Sequence, residues 1–346
     1  MVSQKIDLKN LSPLELQQFI TSFGKEEYRT VQILRWLYLK GVHSFDEMTN
    51  LSKKFREELQ EVSFISTLHS SLIEKSLDGT KKFLFQLEDG NRIESVLIPD
   101  KKRLTLCLST QVGCSLGCRF CLTGKIGLKR NLSTSEILNQ ILAVRETLSD
   151  GPTITNIVLM GMGEPLANYE NTLKAIELIT HSDGFRFSTR RVTLSTVGLL
   201  PELERLAKEK VRFRLAISLN ASDEETRSRL MPINRRYPLK RILEVCRNFP
   251  LRARARITFE YVMIEGENDA PEDAKRLLKL LKGIPSKVNL IPLNEAPGIP
   301  FKRPQEDRIH LFQEILVKGG ITAIIRTSKG ADISAACGQL HGKTLN

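Results

Sequence analysis

Residues Gly113–Lys129 read GCSLGCRFCLTGKIGLK and place Cys114, Cys118 and Cys121 within eight residues, spaced C-x3-C-x2-C. Separated by Gly117 and small or polar residues, and followed by Gly124, three thiolates this close can turn inward together on one loop. They read as ligands. A closed structural zinc site or an ordinary electron-transfer cluster takes four protein ligands, so a set of three leaves a metal position open. The same residues admit a CxxC redox pair at Cys118 and Cys121, a zinc ion with a fourth ligand from elsewhere, or buried free thiols. A redox pair has no need of Cys114, and zinc sites favour two paired knuckles.

The spacing, with Phe120 just before the last cysteine, resembles the signature of radical S-adenosylmethionine (SAM) enzymes. That resemblance implies a 4Fe-4S cluster whose open iron is chelated by the amino and carboxylate groups of SAM.

Outside the loop, 346 residues provide for one large α/β domain and a smaller one, and 41% hydrophobic content supplies a core. No apolar run approaches the roughly 20 residues of a membrane span, and MVSQKIDLKNL has no apolar leader segment, so a cytoplasmic protein without a membrane anchor is expected. Six cysteines in a chain this long do not make a secreted disulfide framework. The balance of 52 Lys+Arg against 40 Asp+Glu favours a polyanionic partner, although charge alone also fits a merely basic protein.

Residues 1–63 read as a helical module. Ser12-Pro13-Leu14-Glu15 is a capping box opening a helix to about Phe23; further helices are expected from about Glu27 to Leu39 and from about Ser52 to Val62. Lys53, Lys54 and Arg56 make either an RNA-contact surface or a solvated helix face. Residues 64–99 form a small β extension, with KKFLFQLE and RIESVLIP joined at Asp89-Gly90-Asn91 as a hairpin. Glu94 in the second run is a solvent-facing strand residue or, turned inward, a base.

Residues 100–346 alternate strand and helix. Strands are expected at Leu104–Ser109, Asn156–Met160, Arg191–Ser195, Phe213–Leu219, Thr258–Met263, Lys287–Pro292 and Thr322–Arg326, with helices between them. The fold class is therefore α/β: a partial (β/α)6 barrel of the radical SAM type, with its chemistry at the C-terminal ends of the strands. The cysteine loop follows the first strand. The next loop, Met160-Gly161-Met162-Gly163-Glu164-Pro165, resembles the glycine-glycine-glutamate motif of that superfamily, where Gly163 admits close backbone approach and Glu164 accepts from the SAM ammonium. Ser195, Ser218, Leu219, Asn220 and Asn294 stand at later strand ends and complete a candidate SAM site. Basic residues, namely Lys125, Lys129, Arg130, Arg190, Arg191, Arg235 and Arg236, are expected on an RNA-facing rim at this end. Arg252, Arg254 and Arg256 alternate, so in a strand they would share one face of it.

Taken together, GCSLGCRFCLTGKIGLKRNL, MGMGEPLAN, LSTVGLLP, LMPINRRYP, KVNLIPLN and AACGQL resemble the RlmN/Cfr family of radical-SAM RNA methyltransferases across nearly the whole chain. Pro165 and the KVNLIPLN segment favour the RlmN branch, which methylates C2 of an adenine in 23S rRNA and in certain tRNAs, over the Cfr branch, which methylates C8 of the same rRNA adenine. One departure is Asn220, where the family more often has histidine. The resemblance implies two SAM molecules per turnover. The first methylates Cys337, in a small-residue loop near the C-terminus. The second, cleaved at the cluster, yields a 5′-deoxyadenosyl radical that takes hydrogen from the S-methyl group. The resulting methylene radical then adds to the adenine. Cys107 is implied as the resolving cysteine and Glu94 as proton acceptor, with Cys246 left structural. The implied partners are 23S rRNA, tRNA and an electron donor such as flavodoxin or ferredoxin, acting on a monomer. A reading from another class is a non-catalytic iron-sulfur RNA-binding protein, against which Cys107 and Cys337 argue, since binding alone needs neither.

Overall fold

The computed structural model describes residues 5–148, 151, 153–209 and 211–342. Short strands β1 (Ile6–Asp7) and β2 (Ser63–Phe64) pair in parallel and bracket the helices α1 (Pro13–Thr21), α2 (Tyr28–Leu34) and α3 (Lys53–Val62). The capping box forms as expected: Ser12 Oγ accepts from the Glu15 amide, and the Ser12 amide donates to Glu15 Oε2 at 2.7 Å. The second helix is not α throughout. Residues Arg35–Lys40 widen into a π-helical turn closed by Gly41 in the left-handed region.

The extension comprises β3 (Ser70–Lys75), β4 (Lys81–Gln86) and β5 (Arg92–Asp100), which meander antiparallel onto the edge of the main sheet. Next come β6 (Arg103–Cys107), the hairpin β7 (Gln111–Cys114) and β8 (Gly127–Asn131) around the short α4 (Leu122–Ile126), and α5 (Thr134–Glu146). Then β9 (Asn156–Leu159), α6 (Tyr169–Thr180), β10 (Val192–Thr196), α7 (Leu200–Lys208), β11 (Arg214–Ser218), α8 (Glu224–Leu230) and α9 (Leu239–Arg247) follow. Last are β12 (Ile257–Met263), α10 (Pro271–Leu281), β13 (Ser286–Pro292), α11 (Glu306–Lys318) and β14 (Thr322–Ile325).

The sheet order is β14-β13-β12-β11-β10-β9-β6-β5-β4-β3, with β6 and β9 to β14 all parallel. Six helical crossovers thus join seven parallel strands in the order of the chain, the open barrel that the alternation anticipates. Helix faces explain the packing. In α9 the buried Leu239, Ile242, Leu243 and Cys246 recur at helical spacing, and each buried aliphatic side chain contributes about 1.5–3 kcal/mol. In β12 the pattern reverses with period two: Phe259 and Tyr261 face the helices, so Thr258, Glu260 and Val262 face the barrel interior. No helix among the described residues is long and apolar enough to cross a membrane.

Candidate active site

The cysteine loop is the tip of the β7–β8 hairpin, at the C-terminal end of the parallel strands. Gly113 makes the hairpin possible: its φ is +77°, and a Cβ there would stand 1.8 Å from the Gly127 carbonyl oxygen. Cys114 ends β7, Cys118 lies in the turn, and Cys121 precedes α4; all three are half-buried. They are near enough for the charge of one to bear on another. Burial pushes the Cys114 thiol up to about 12 and Cys118 higher, with the neighbouring thiols adding to both.

Among the described residues no three His, Cys, Asp or Glu side chains converge on one point, as they would around a single metal ion. A cluster asks for something different, since it spreads its cysteine ligands over several irons. Three half-buried thiols on one loop, with no fourth protein ligand, fit a 4Fe-4S group that keeps one iron free. Arg227 supports the fit. This fully buried guanidinium donates to the carbonyls of Val197 at 2.7 Å and Leu219 at 3.1 Å and to Asn234 Oδ1 at 2.7 Å. Burial lowers it to about 10, and Cys118, Glu224 and Cys246 oppose that shift, so a buried cation without a direct ion-pair partner stands beside the ligand set.

Gly163 has φ +101°, and a Cβ on it would meet the Gln111 side chain at 2.5 Å, so the loop after β9 lies flat against the cysteine hairpin. Glu164 is buried and both its oxygens are engaged: Oε1 accepts from the Leu166 amide and Oε2 from the Val197 amide, each at 3.0 Å. Burial still raises its carboxyl to about 7. Ser195 and Ser218 meet across β10 and β11, with their hydroxyls 3.4 Å apart. Asn220 does not join them. Its φ of 59° is one that asparagine tolerates, and its amide is spent inside the fold, Oδ1 accepting from the Val262 amide at 2.9 Å and Nδ2 donating to Met231 Sδ. The Leu219 side chain is likewise buried away. Asn294 Nδ2 donates to the Cys337 carbonyl at 3.2 Å, and its Oδ1 accepts from Ser328, so it holds the cysteine loop directly.

Cys107 and Cys337, from opposite ends of the barrel domain's sequence, lie near enough for the charge of Cys337 to bear on Cys107. Cys107 ends β6 buried; burial raises its thiol well above the ordinary range, the charge of Cys337 adds to the effect, and the nearby Met160 amide works against it. Cys337 is open to solvent yet enclosed by protein on its other sides, with Cys121, Glu260 and Arg326 close enough to act on it, and its thiol is raised too. Its loop is held by Leu122 N to Gly338 O at 2.8 Å and Thr123 Oγ1 to Leu340 O at 2.6 Å, so the two cysteine loops are tied together. Glu94 shares the face of Cys107: Val96 lies opposite Cys107, and Glu94 is two residues along β5. It is turned inward and fully buried, with Oε2 accepting from the amides of His341 and Gly342 at 2.7 and 3.0 Å.

Sequence reasoning missed Glu260, which interrupts the apolar run ITFEYVM and accepts from Asn289 Nδ2 at 2.9 Å; burial raises it to about 7. Period-two alternation was the available signal. The expected basic rim divides. Arg190, Arg191, Arg252, Arg254 and Arg256 precede β10 and β12, so they lie at the opposite end of the barrel, where Arg191 donates to Thr155 O and Arg252 to Thr189. The three alternating arginines are in a turn with Arg254 left-handed, not in a strand. Arg130 is occupied by Asp89 and, through two nitrogens, Glu136. Lys125 is bound to the Gly298 carbonyl. Lys129, Arg235 and Arg236 remain exposed near the site.

Comparison with known proteins agrees with this geometry. The model of the radical SAM superfamily matches residues 108–281, and that of the ribosomal RNA large subunit methyltransferase N-terminal domain matches residues 6–65. The dual-specificity RNA methyltransferase RlmN of Geotalea uraniireducens is 54% identical over 340 residues, covering 98% of each chain. That of Syntrophus aciditrophicus is 53% identical over 345 residues, covering 100% of this chain and 99% of its own. A radical SAM methyltransferase from Sphaerobacter thermophilus superposes with a TM-score of 0.91 at 43% identity, over 98% of this chain and 100% of that one. The chain therefore belongs to the radical SAM superfamily and, within it, to the RlmN family of dual-specificity RNA methyltransferases.

Proposed function

We propose that this enzyme methylates C2 of adenine in 23S rRNA and in certain tRNAs, through a methyl group carried on Cys337. The observation that carries the reading is the Cys337 loop tied to the three-cysteine hairpin, with Cys107 within electrostatic reach of Cys337, since a methyl transfer that ran directly from SAM would need neither cysteine. An adenine ring carbon is electron-poor and the SAM methyl group is electrophilic, so polar transfer between them lacks a nucleophile.

In this reading Cys114, Cys118 and Cys121 hold the cluster, and Gly163, Glu164, Ser195, Ser218, Leu219, Asn220 and Asn294 form the SAM site. Leu219 and Asn220 act by shaping the wall of that site, because their backbone amides donate to the Glu260 carbonyl, their carbonyls accept from Arg227 and Asn268, and the Asn220 side chain is bound to Val262 and Met231. Cluster and SAM, when bound, supply the one-electron chemistry that removes hydrogen from the methyl group on Cys337. Cys337 takes that methyl first, as a thiolate, and its exposure to solvent gives SAM access. Asn294, Leu122 and Thr123 fix its loop over the cysteine hairpin. Once the carbon bond to RNA exists, a ring proton must leave. Cys107, raised by burial, rests as a thiol and has no room for a further proton; Glu94 is the acceptor on the same face. The Cys107 sulfur then bonds to that of Cys337 as the Cys337 S–C bond breaks; that bond's electron pair goes to the methylene carbon, which takes up a proton in place of the one the Cys107 thiol gives up, and the methylated base is freed. The helical module, residues 1–63, with Lys129, Arg235 and Arg236 contacts the RNA, and the electron comes from a cytoplasmic flavodoxin or ferredoxin to a monomer.

Incubating the reconstituted protein with SAM, reductant and either RNA, then separating methyladenosines by mass spectrometry, tests this. We expect 2-methyladenosine. A product methylated at C8 would move the chain to the other branch, and 5′-deoxyadenosine without any methylated RNA would sink the assignment.

A further inference from the structure

Lys82 on β4 and Glu94 on β5 have side-chain exposures of 1% and 0%, where charged groups are rare unless paired. The Lys82 ammonium stands 3.4 Å from Glu94 Oε1 and 2.8 Å from Glu74 Oε2 on β3. Glu74 lies opposite Lys82, and Leu84, two residues from Lys82, lies opposite Glu94, so the three charges cross adjacent strands on one face. Exposure rises along the row to 18% at Glu74. Glu94 uses its two oxygens differently: Oε2 takes the two backbone amides, whereas Oε1, like the Lys82 ammonium itself, is buried with no hydrogen-bond partner and is held by ion-pair proximity alone. Such an orphan calls for a function, and this one faces an ammonium that touches a second, wetter carboxylate. Among the described residues Lys82 is the one cation within ion-pair range of Glu94.

We propose that Lys82 is a positioning residue for release of the methylated base: it aims Glu94 Oε1 and links it to Glu74, so that a proton received by Glu94 leaves the buried site through Glu74. The proposal rests on the methylation reading above, with Glu94 as acceptor. The C–H bond of the ring carbon breaks, its electron pair stays in the ring, and the proton goes to Glu94. Lys82 gives one ammonium proton to Glu74 and takes that of Glu94; Glu74 returns it to water. Nothing is oxidised or reduced in these transfers. Because Glu94 also holds His341 and Gly342, the acceptor and the Cys337 loop keep one mutual geometry.

The test uses reconstituted Lys82→Met, Lys82→Arg and Glu74→Gln enzymes with RNA, followed for 5′-deoxyadenosine, covalent protein–RNA adduct and methylated RNA. Lys82→Met should still form 5′-deoxyadenosine and adduct, but should release methylated RNA roughly a hundredfold more slowly, so that adduct accumulates. Lys82→Arg keeps the charge in place and should recover most of the release rate. Glu74→Gln should slow release severalfold. A purely structural lysine would lower adduct and product in parallel, and that outcome, like release by Lys82→Met at the wild-type rate, overturns the proposal. Should Lys82→Met fail to fold, release by Glu74→Gln at the wild-type rate overturns the outlet by itself. A wild-type enzyme that methylates no RNA refutes the activity reading; an active wild type leaves only the charged row at stake.

Discussion

Two cysteines far apart in sequence, one within reach of the other's charge, give the clearest expectation for a single residue. Cys107→Ala should leave the RNA attached to Cys337, visible as a protein band shifted by its RNA, because no thiol remains to displace the sulfur. Methylated RNA released at the wild-type rate would remove Cys107 from the reaction. Glu260 yields a second expectation, at the level of stability. Its carboxyl is raised by burial to about 7 in the folded protein against 4.5 unfolded, so its neutral form favours folding below about pH 4.5. As pH rises through about 7 the unfolded state gives up its proton first, and stability falls by about 3 kcal/mol. Denaturant titrations of wild type and Glu260→Gln at pH 4.5 and pH 8 should differ by that decline, which the glutamine lacks. Cys107, Glu94 and Cys337 were legible because their surrounding motifs resemble a family. Lys82, Arg227 and Glu260 were not, since a lone charge in a strand or short helix reads as a solvent-facing residue, and its burial is decided by partners distant in sequence.

Among the elements, the seven parallel strands stood out in the sequence through short apolar runs alternating with amphipathic helices, and they occur within a residue or two of their expected positions. The β7–β8 hairpin did not stand out. Its strands are short, glycine-punctuated and interrupted by the cysteines, and their pairing depends on Gly113 and Gly127 rather than on alternation. α8 escaped as well, because seven residues, EETRSRL, carry too little apolar periodicity to mark a helix. The hairpin gives the expectation for this scale. Gly113→Ala forces a methyl group into the Gly127 carbonyl from a left-handed backbone, which should cost about 3 kcal/mol and spread the ligand loop. The purified variant should lose most of its iron and its visible iron-sulfur absorbance while the far-ultraviolet circular dichroism of the barrel persists. A full iron complement would show that the loop does not depend on this hairpin.

For the whole molecule, the distribution of charge matters more than its total of +12. The arginines that look like one rim in the sequence occupy both ends of the barrel, because the chain passes from one end to the other with every strand. Replacing Lys129, Arg235 and Arg236 by serine should reduce the salt dependence of RNA affinity by about 0.7–0.9 per lost phosphate contact. Replacing Arg252, Arg254 and Arg256 should leave the slope unchanged; equal effects from both sets would mean that RNA reaches round the barrel. The antiparallel extension bears on the molecule in another way. Ser76 Oγ and the Leu77 amide donate to Asp332, Gly330 donates to Asp78, and His341 and Gly342 donate to Glu94, across sequence separations of 247 to 256 residues. Contacts between such distant residues carry the largest loop-closure entropy and form after local ones. The barrel can therefore cross its folding barrier before the Cys337 segment is fastened, and weakening these fastenings should accelerate unfolding while leaving the refolding rate nearly untouched. In kinetic terms the reactive centre is the final piece assembled, completed on a framework that is already folded.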